Sequence, residues 1–309
     1  MKIGEVFRKL VDEDFVILRF FVRNLRRFEY IPVEYIAQKL RRFTPKELDA
    51  RLRKLHKLKV IERHPTMNAY RLKVLGLDCY ALKVLADRGV LKAIGDMVGV
   101  GKESDIFKAI DGEDRLVVVK FFRIGRTSFR HVTKVRDYGV DFERGTWLVR
   151  SVVAGKRERE ALKILNEFGV PNVPSLRGGY LHAVVMDYFE GVELYEVREL
   201  SDPDSVLSEI LETVRVAYWR AKIVHGDLSE YNIIVTSDEK PIIIDWPQYV
   251  TTVDPNARRI LERDVLYITR FFKKRFGVPI EFEEALQYVL SPLEEGESGS
   301  EVTTGSAGS

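Results

Sequence analysis

Between Ile223 and Gln248 the chain reads IVHGDLSEYNIIVTSDEKPIIIDWPQ, and this stretch limits the available folds more than any other. One apolar run leads into a sharp loop carrying Asp227 and, five positions on, Asn232. A second apolar run, PIII, then delivers Asp245. Charged and amide groups at the ends of buried strands are costly unless their oxygens meet a cation or hydrogen-bond donors. Magnesium takes oxygen ligands and keeps several waters, so one asparagine and one aspartate suffice when a substrate brings phosphate oxygens. The expectation is therefore a nucleotide site in which Asp227, Asn232 and Asp245 hold magnesium and the phosphates of ATP.

The totals set outer bounds. With 309 residues, 45% of them hydrophobic and 31% charged, the chain has room for two domains with sizeable cores. The one cysteine, Cys79, rules out an intrachain disulfide and fits a reducing compartment. The five histidines show no metal-ligand spacing. The N-terminus, MKIGEVFRKLVDEDF, is broken by charge every few residues, unlike a secretory leader, and no run nears the roughly 18 to 20 apolar residues of a membrane span. A cytoplasmic monomer with no membrane contact is expected. The net charge of +3 conceals an asymmetry: residues 1–95 carry 22 Lys+Arg against 11 Asp+Glu, whereas the remaining 214 residues sum to −8. A basic front on an acidic body suggests a phosphate-rich partner for the front alone, or simply a solvated helix surface.

Residues 1–91 read as a small helical domain. DEDFVILRFFVRNLRRF has helical apolar spacing, with acids in its first turn and arginines in its last. VEYIAQKLRRF follows, then TPKELDARLRKLHKLKVIER, where Thr44 is the expected N-cap, Pro45 the first helical residue and Glu47 the capping-box partner. VIERHPTMNAYRLKV reads as two β-runs around a turn, and LGLDCYALKVLADRGVL as a connecting helix. Helix, basic helix, hairpin is the order of a winged helix-turn-helix, whose second helix enters a nucleic-acid groove or serves protein contacts. Arg51, Arg53, Lys54 and Lys57 are its candidate nucleic-acid contacts.

From residue 92 the texture changes. KAIGDMVGVG, SDIFKAID and RLVVVKFF suggest a three-stranded antiparallel sheet, followed by a charged stretch, a helix at VAGKREREALKILNEFG and a further strand at LHAVVMDYFEG. Residues 190–292 read as helical with short strands, one strong amphipathic helix lying beyond Asp245, and 293–309 as a disordered tail. Gly99 and Gly101 end a β-run ahead of Lys102, Glu103 and Ser104, and glycines allow close approach of backbone amides to phosphate. Lys120 closes VVVK nineteen residues later, where a lysine reaches α- and β-phosphates. A helix glutamate should fix that lysine. Glu158 is preferred because Leu162 and Leu165 share its face, and Glu160 is the other option.

The motifs GVGKESDIF, VVVKFFRIGRTSFR, KVRDY, HGDLSEYN and IDWPQ resemble the RIO family of atypical serine/threonine kinases, specifically its second subfamily, the archaeal type included, which carries an N-terminal winged helix. The resemblance spans nearly the whole chain short of the tail. It implies an α+β protein: a winged helix-turn-helix domain at 1–91, then a truncated two-lobed kinase-like domain at 92–292, with an N-lobe to about 189 and a C-lobe from 190. It implies ATP with magnesium, manganese being an alternative, and a role in maturing the small ribosomal subunit, with the subunit precursor and its rRNA as partners. Residue by residue, it gives Gly99, Gly101, Lys102, Glu103 and Ser104 to the phosphate loop, Lys120 to the phosphates and Glu158 to the lysine. Met186 would be the gatekeeper, with backbone groups of Asp187 and Phe189 holding adenine. Asp227 would be catalytic, with Asn232 and Asp245 binding metal.

Departures from ordinary kinases narrow the mechanism. Gly226 replaces an arginine, Trp246-Pro247 replaces Phe-Gly, and no peptide-docking platform follows. The resemblance implies ATP hydrolysis as a conformational switch, with the Asp245 carboxylate accepting phosphate transiently, and self-phosphorylation at Ser128 is a further expectation. The charged stretch from Arg123 to Arg144, with Arg126 and Arg130, reads as a basic loop over the nucleotide mouth that contacts RNA or is simply solvated. Two rivals remain: a small-molecule phosphotransferase of the aminoglycoside or choline kinase type, and a winged-helix nucleic-acid-binding regulator that senses ATP. The short region after Asp245 opposes the first, and retention of Asp227 opposes the second.

Overall fold

A computed structural model of the chain describes residues 3–101, 103–125 and 147–293. These fall into two compact units, one running to Asn166 with Pro174–Glu190 and Asp245–Gln248, the other comprising Glu167–Val173, Gly191–Ile244 and the residues from Tyr249 on.

The first unit begins with α1 (Ile3–Phe7), α2 (Asp12–Arg23), β1 (Ile31–Pro32), α3 (Val33–Lys39), α4 (Pro45–Lys57), β2 (Ile61–Arg63), β3 (Ala69–Leu72) and α5 (Val74–Asp87). Three acids, Asp12, Glu13 and Asp14, stand in the first turn of α2, where the helix dipole favours them. Thr44 caps α4 by accepting the Glu47 amide at 3.3 Å, with Pro45 at the first position. The Glu47 carboxylate is engaged by Arg51 at 3.1 Å, which diverts it from the expected capping box. The hairpin β2–β3 gains β1 on its other side, giving the order β1-β3-β2.

The same unit continues with β4 (Leu91–Val100), β5 (Ser104–Asp111), β6 (Leu116–Phe122), α6 (Trp147–Glu167), β7 (Leu176–Tyr180) and β8 (Ala183–Asp187). The antiparallel sheet has five strands in the order β4-β5-β6-β8-β7: the three expected to pair, the further strand expected at LHAVVMDYFEG, and β7, which was not expected. Every second residue of β5 is buried, so one face packs on the core. That core is continuous with the winged helix: Leu18, Phe21, Leu52 and Leu55 belong to the same buried cluster as Leu77, Leu85, Val117, Val119, Phe121 and Val185. Gly155 permits the close approach of α6 to the β7–β8 turn, since a Cβ there would lie 2.7 Å from the His182 Cα.

The second unit holds β9 (Gly191–Glu193), α7 (Pro203–Trp219), β10 (Ile223–Val224), β11 (Ile233–Thr236), β12 (Pro241–Ile243), β13 (Val250–Thr251), α8 (Ala257–Phe276) and α9 (Phe282–Leu290). β12, β11 and β9 form one small antiparallel sheet, and β10 pairs with β13. The helices bury Leu207, Ile210, Leu211, Leu261, Val265, Ile268, Phe272 and Val289. α9 is a second helix beyond Asp245, where only one was expected. Its nine residues are too few for a strong periodic signal.

Candidate active site

In the first unit Lys120 lies inside β6, opposite Ile106 of β5 and Val184 of β8, and is 4% exposed. Its Nζ donates to Asp245 Oδ1 at 2.9 Å and lies 3.5 Å from Glu158 Oε1. Burial alone would push the ammonium down, but the Asp245 and Glu158 charges outweigh it and hold Lys120 above its ordinary value. Burial also pushes the Glu158 carboxyl up to about 7, against the pull of Lys120. Glu158 Oε2 is buried and has no hydrogen-bond partner among the described residues. Glu160 points elsewhere, pairing with Lys156 at 3.4 Å on the exposed side of α6.

Asp245 follows β12 with φ +68°, a left-handed backbone that aspartate tolerates better than most residues. Trp246 is fully buried, and Arg157 of α6 donates to the Pro247 carbonyl at 2.6 Å, so the Asp-Trp-Pro corner is held on the helix that carries Glu158.

The loop ahead of β5 turns tightly: the Gly101 amide donates to the Ser104 carbonyl at 2.8 Å, and the Glu103 carbonyl accepts the Arg123 amide at 2.6 Å. A Cβ at Gly99 would meet Ile106 at 3.6 Å, ordinary contact, so protein packing alone does not require glycine there. Met186 is buried in β8 opposite Val118. The Asp187 amide donates to the Ser175 carbonyl, its carboxylate takes Arg177 at 2.6 Å, and Phe189 lies half-buried beyond the strand end.

In the second unit the loop between β10 and β11 carries Asp227 exposed. Its amide donates to His225 Nδ1 at 3.2 Å, which leaves the proton on Nε2 to bond the Ile244 carbonyl at 3.0 Å. The Asn232 amide nitrogen donates to the Asp227 carbonyl at 2.7 Å. Its oxygen is thereby aimed away from that bond and suits a hard cation. The Asn232 carbonyl accepts the Ile244 amide at 2.9 Å, one residue before Asp245. Gly226, φ +83°, is gripped from α8: its amide donates to Asp264 Oδ2 at 2.8 Å and its carbonyl accepts from Arg263. Asp264 is 1% exposed, and burial pushes its carboxyl up to about 6. No sequence signal singled it out beyond its place on the apolar face of an amphipathic helix.

Among the described residues no group of three or more His, Cys, Asp or Glu gathers as a metal site. The Asp245 carboxylate in the first unit and the Asn232 amide oxygen in the second are each hard oxygen donors of the kind magnesium takes together with phosphate oxygens and water.

The remaining expected contacts divide. Lys102, Arg126, Ser128 and Arg130 lie outside the described residues. Arg51 and Lys54 turn onto the fully buried Asp14 of α2, at 3.3 and 2.5 Å, whereas Arg53, paired with Asp49, and Lys57 remain exposed on α4. Arg123 departs from the expected solvated loop altogether: it is 5% exposed and bonded to Asp78 and Asp105.

A buried lysine held by a helix glutamate and a strand-end aspartate in the first unit, and an HGD-x4-N loop in the second, are the parts of a kinase-like nucleotide site. Comparison with known proteins agrees. The RIO domain model matches residues 105–285, and the Rio2 N-terminal model matches residues 7–88. The serine/threonine-protein kinase rio2 of Schizosaccharomyces pombe is 34% identical over 275 residues, covering 88% of this chain and 79% of its own length. The RIO-type serine/threonine-protein kinase Rio2 of Methanocaldococcus jannaschii is 34% identical over 256 residues, 81% of this chain and 92% of that protein. The crystal structure of the Rio2 kinase from Chaetomium thermophilum, in an ADP/Mg2+-phosphoaspartate complex, superposes with a TM-score of 0.76 at 30% identity, covering 96% of this chain and 89% of that one. The chain belongs to the RIO kinase family, in its Rio2 branch, and is an atypical serine/threonine kinase.

Proposed function

We propose that the protein is a magnesium-dependent ATPase and serine kinase whose slow ATP turnover gates its release from the maturing small ribosomal subunit in the cytoplasm. The observation that carries the catalytic reading is Lys120 buried between Glu158 and Asp245, bonded to the Asp245 carboxylate at 2.9 Å. In this reading Lys120 exchanges Asp245 for the α- and β-phosphates, Glu158 keeps the ammonium oriented, and the 99–104 loop covers the phosphates, with Met186, Asp187 and Phe189 bordering adenine. Asn232 and Asp245 hold magnesium, or manganese in its place, which when bound neutralises phosphate charge.

Freed from Lys120, an Asp245 carboxylate oxygen attacks the γ-phosphorus, and the bond from that phosphorus to the bridging oxygen of ADP breaks. Water then attacks the acyl phosphate, releasing inorganic phosphate and restoring the carboxylate. Asp227 takes the proton from that water, or from a serine hydroxyl when a serine is the acceptor, Ser128 being one candidate. The phosphoaspartate in the Chaetomium thermophilum Rio2 complex supports this route.

The ribosomal part rests on membership of the Rio2 branch and on the basic front end, with Lys46, Arg53 and Lys57 exposed on α4. Affinity purification of Asp227→Ala loaded with ATP tests it. Co-purification of precursor small subunits with their rRNA is expected, and recovery of duplex DNA or of no RNA particle would refute it.

A further inference from the structure

Arg123 stands three residues after Lys120 and is the centre of a buried ion-pair network within the first unit. Its Nη1 and Nη2 donate to the two carboxylate oxygens of Asp78 on α5, each at 2.9 Å, and its Nε donates to Asp105 Oδ2 at 2.8 Å. Asp78 Oδ1 also takes His182 Nε2 at 2.7 Å, in the β7–β8 turn. Burial holds His182 below its ordinary value, so it enters the network neutral. The backbone joins in. The Arg123 amide bonds the Glu103 carbonyl, the Phe122 amide bonds the His182 carbonyl at 3.0 Å, and the Ile124 amide bonds Ser151 Oγ of α6 at 3.0 Å.

Arg123 and its chain neighbours therefore tie together four elements. The guanidinium holds the connecting helix of the winged domain through Asp78, and the Arg123 amide holds the Glu103 carbonyl of the 99–104 loop. The Phe122 amide holds the end of the lysine strand, and the Ile124 amide holds the helix bearing Glu158. A bidentate arginine–carboxylate pair fixes direction as well as distance, because the fork fits the two oxygens in one plane. The Arg123 Nε bond to Asp105 holds the second residue of β5, next to Ser104 at the end of the glycine loop. A buried charge network of this size adds little net stability over well-packed apolar residues, yet it specifies one arrangement.

The geometry points to Asp78 and Arg123 as positioning residues for the nucleotide: through Asp105 and Glu103 the winged-helix domain holds the phosphate loop and Lys120 in register. This rests on the phosphate-loop reading proposed above. Neither residue touches the nucleotide in this assignment; both act by fixing groups that do. Displacement of such groups by even 1 Å costs up to about 100-fold in comparable sites.

The test uses the full chain and Mg2+·ADP as probe, with titration calorimetry for affinity and thermal unfolding for stability. Arg123→Lys keeps the charge but loses the fork, and Asp78→Asn keeps an oxygen but loses the charge. Leu52→Val, in the buried winged-helix core, is the control for lost stability alone. Affinity about tenfold weaker in Arg123→Lys and Asp78→Asn, with Leu52→Val within twofold of wild type, is the expected pattern. Affinity within twofold in all three would reduce the network to a fold staple and overturn the assignment. Should both network variants fail to fold, hydrogen exchange of the wild type decides. Saturating Mg2+·ADP is expected to slow exchange in α5 around Asp78 as well as at residues 99–104, and protection confined to the loop would overturn the coupling. Failure of the wild type to bind Mg2+·ADP at all would instead refute the nucleotide site itself.

Discussion

Asp264 accepts the Gly226 amide at 2.8 Å, so a buried carboxylate of α8 holds the backbone of the loop that presents Asp227. Arg263 supports the same carboxylate at 2.9 Å and bonds the Gly226 carbonyl. Burial raises the Asp264 carboxyl from 3.8 to about 6, with the Asp227 charge adding to the rise. Across that window the folded chain keeps a proton that the unfolded chain has released, so this group's contribution to stability falls as pH rises. Urea unfolding of wild type and Asp264→Asn from pH 4 to 7 should show the wild type losing roughly 3 kcal/mol relative to the variant. Parallel profiles would exclude the buried carboxylate as the cause.

Lys120→Met should abolish ATP turnover, by at least about 100-fold, because the phosphates lose the buried Lys120 ammonium. It should also destabilise the fold by about 3 kcal/mol, since Glu158 and Asp245 are left without their counter-charge. Adding Glu158→Gln to that variant should restore much of the stability and none of the activity. Additive losses in a double-mutant cycle would contradict a shared buried charge.

Asp227→Asn is expected to lower kcat by about 100- to 10,000-fold while leaving Mg2+·ADP affinity within about twofold. Its side chain is exposed and its backbone amide, which bonds His225, is unchanged by the substitution. A matched loss of nucleotide affinity and kcat would place the residue in ground-state binding instead.

Two glycines should separate ligand from packing. Gly99→Ala meets only ordinary contact with Ile106, so its melting temperature should match wild type while the KM for ATP rises. Gly155→Ala drives a methyl against the His182 backbone at 2.7 Å and should cost about 1–3 kcal/mol. Thermal unfolding alongside steady-state kinetics checks both.

What the sequence made legible was local. The Thr44-Pro45 start of α4, the alternation of β5 and the VVVK strand are short-range patterns that survive folding because each is set by neighbours within one turn or one strand. Glu158 could be preferred over Glu160 for the same reason, its leucine neighbours marking the buried face of α6. The fifth strand was hidden because LRGGY carries two glycines and no alternation. Asp264 was hidden because an acid on the apolar face of an amphipathic helix carries no motif of its own, and only the packed helix shows what it holds. Arg123 was misread for a related reason: it opens a stretch crowded with arginines, and its partners lie 45 and 18 residues away in sequence. Long-range charge pairing leaves no periodic trace.

The continuity between the winged helix and the sheet has a practical corollary. The two matching family segments, 7–88 and 105–285, suggest a natural cut near residue 89, yet a polypeptide beginning there would lack Asp78. Its Arg123 would keep Asp105 but lose the two-oxygen pairing with Asp78, and the apolar side of the sheet that packs beneath α5 would be laid bare. Such a fragment should clump or misfold on expression, so a failure of the isolated catalytic segment to hydrolyse ATP would say nothing about the chemistry of the intact enzyme.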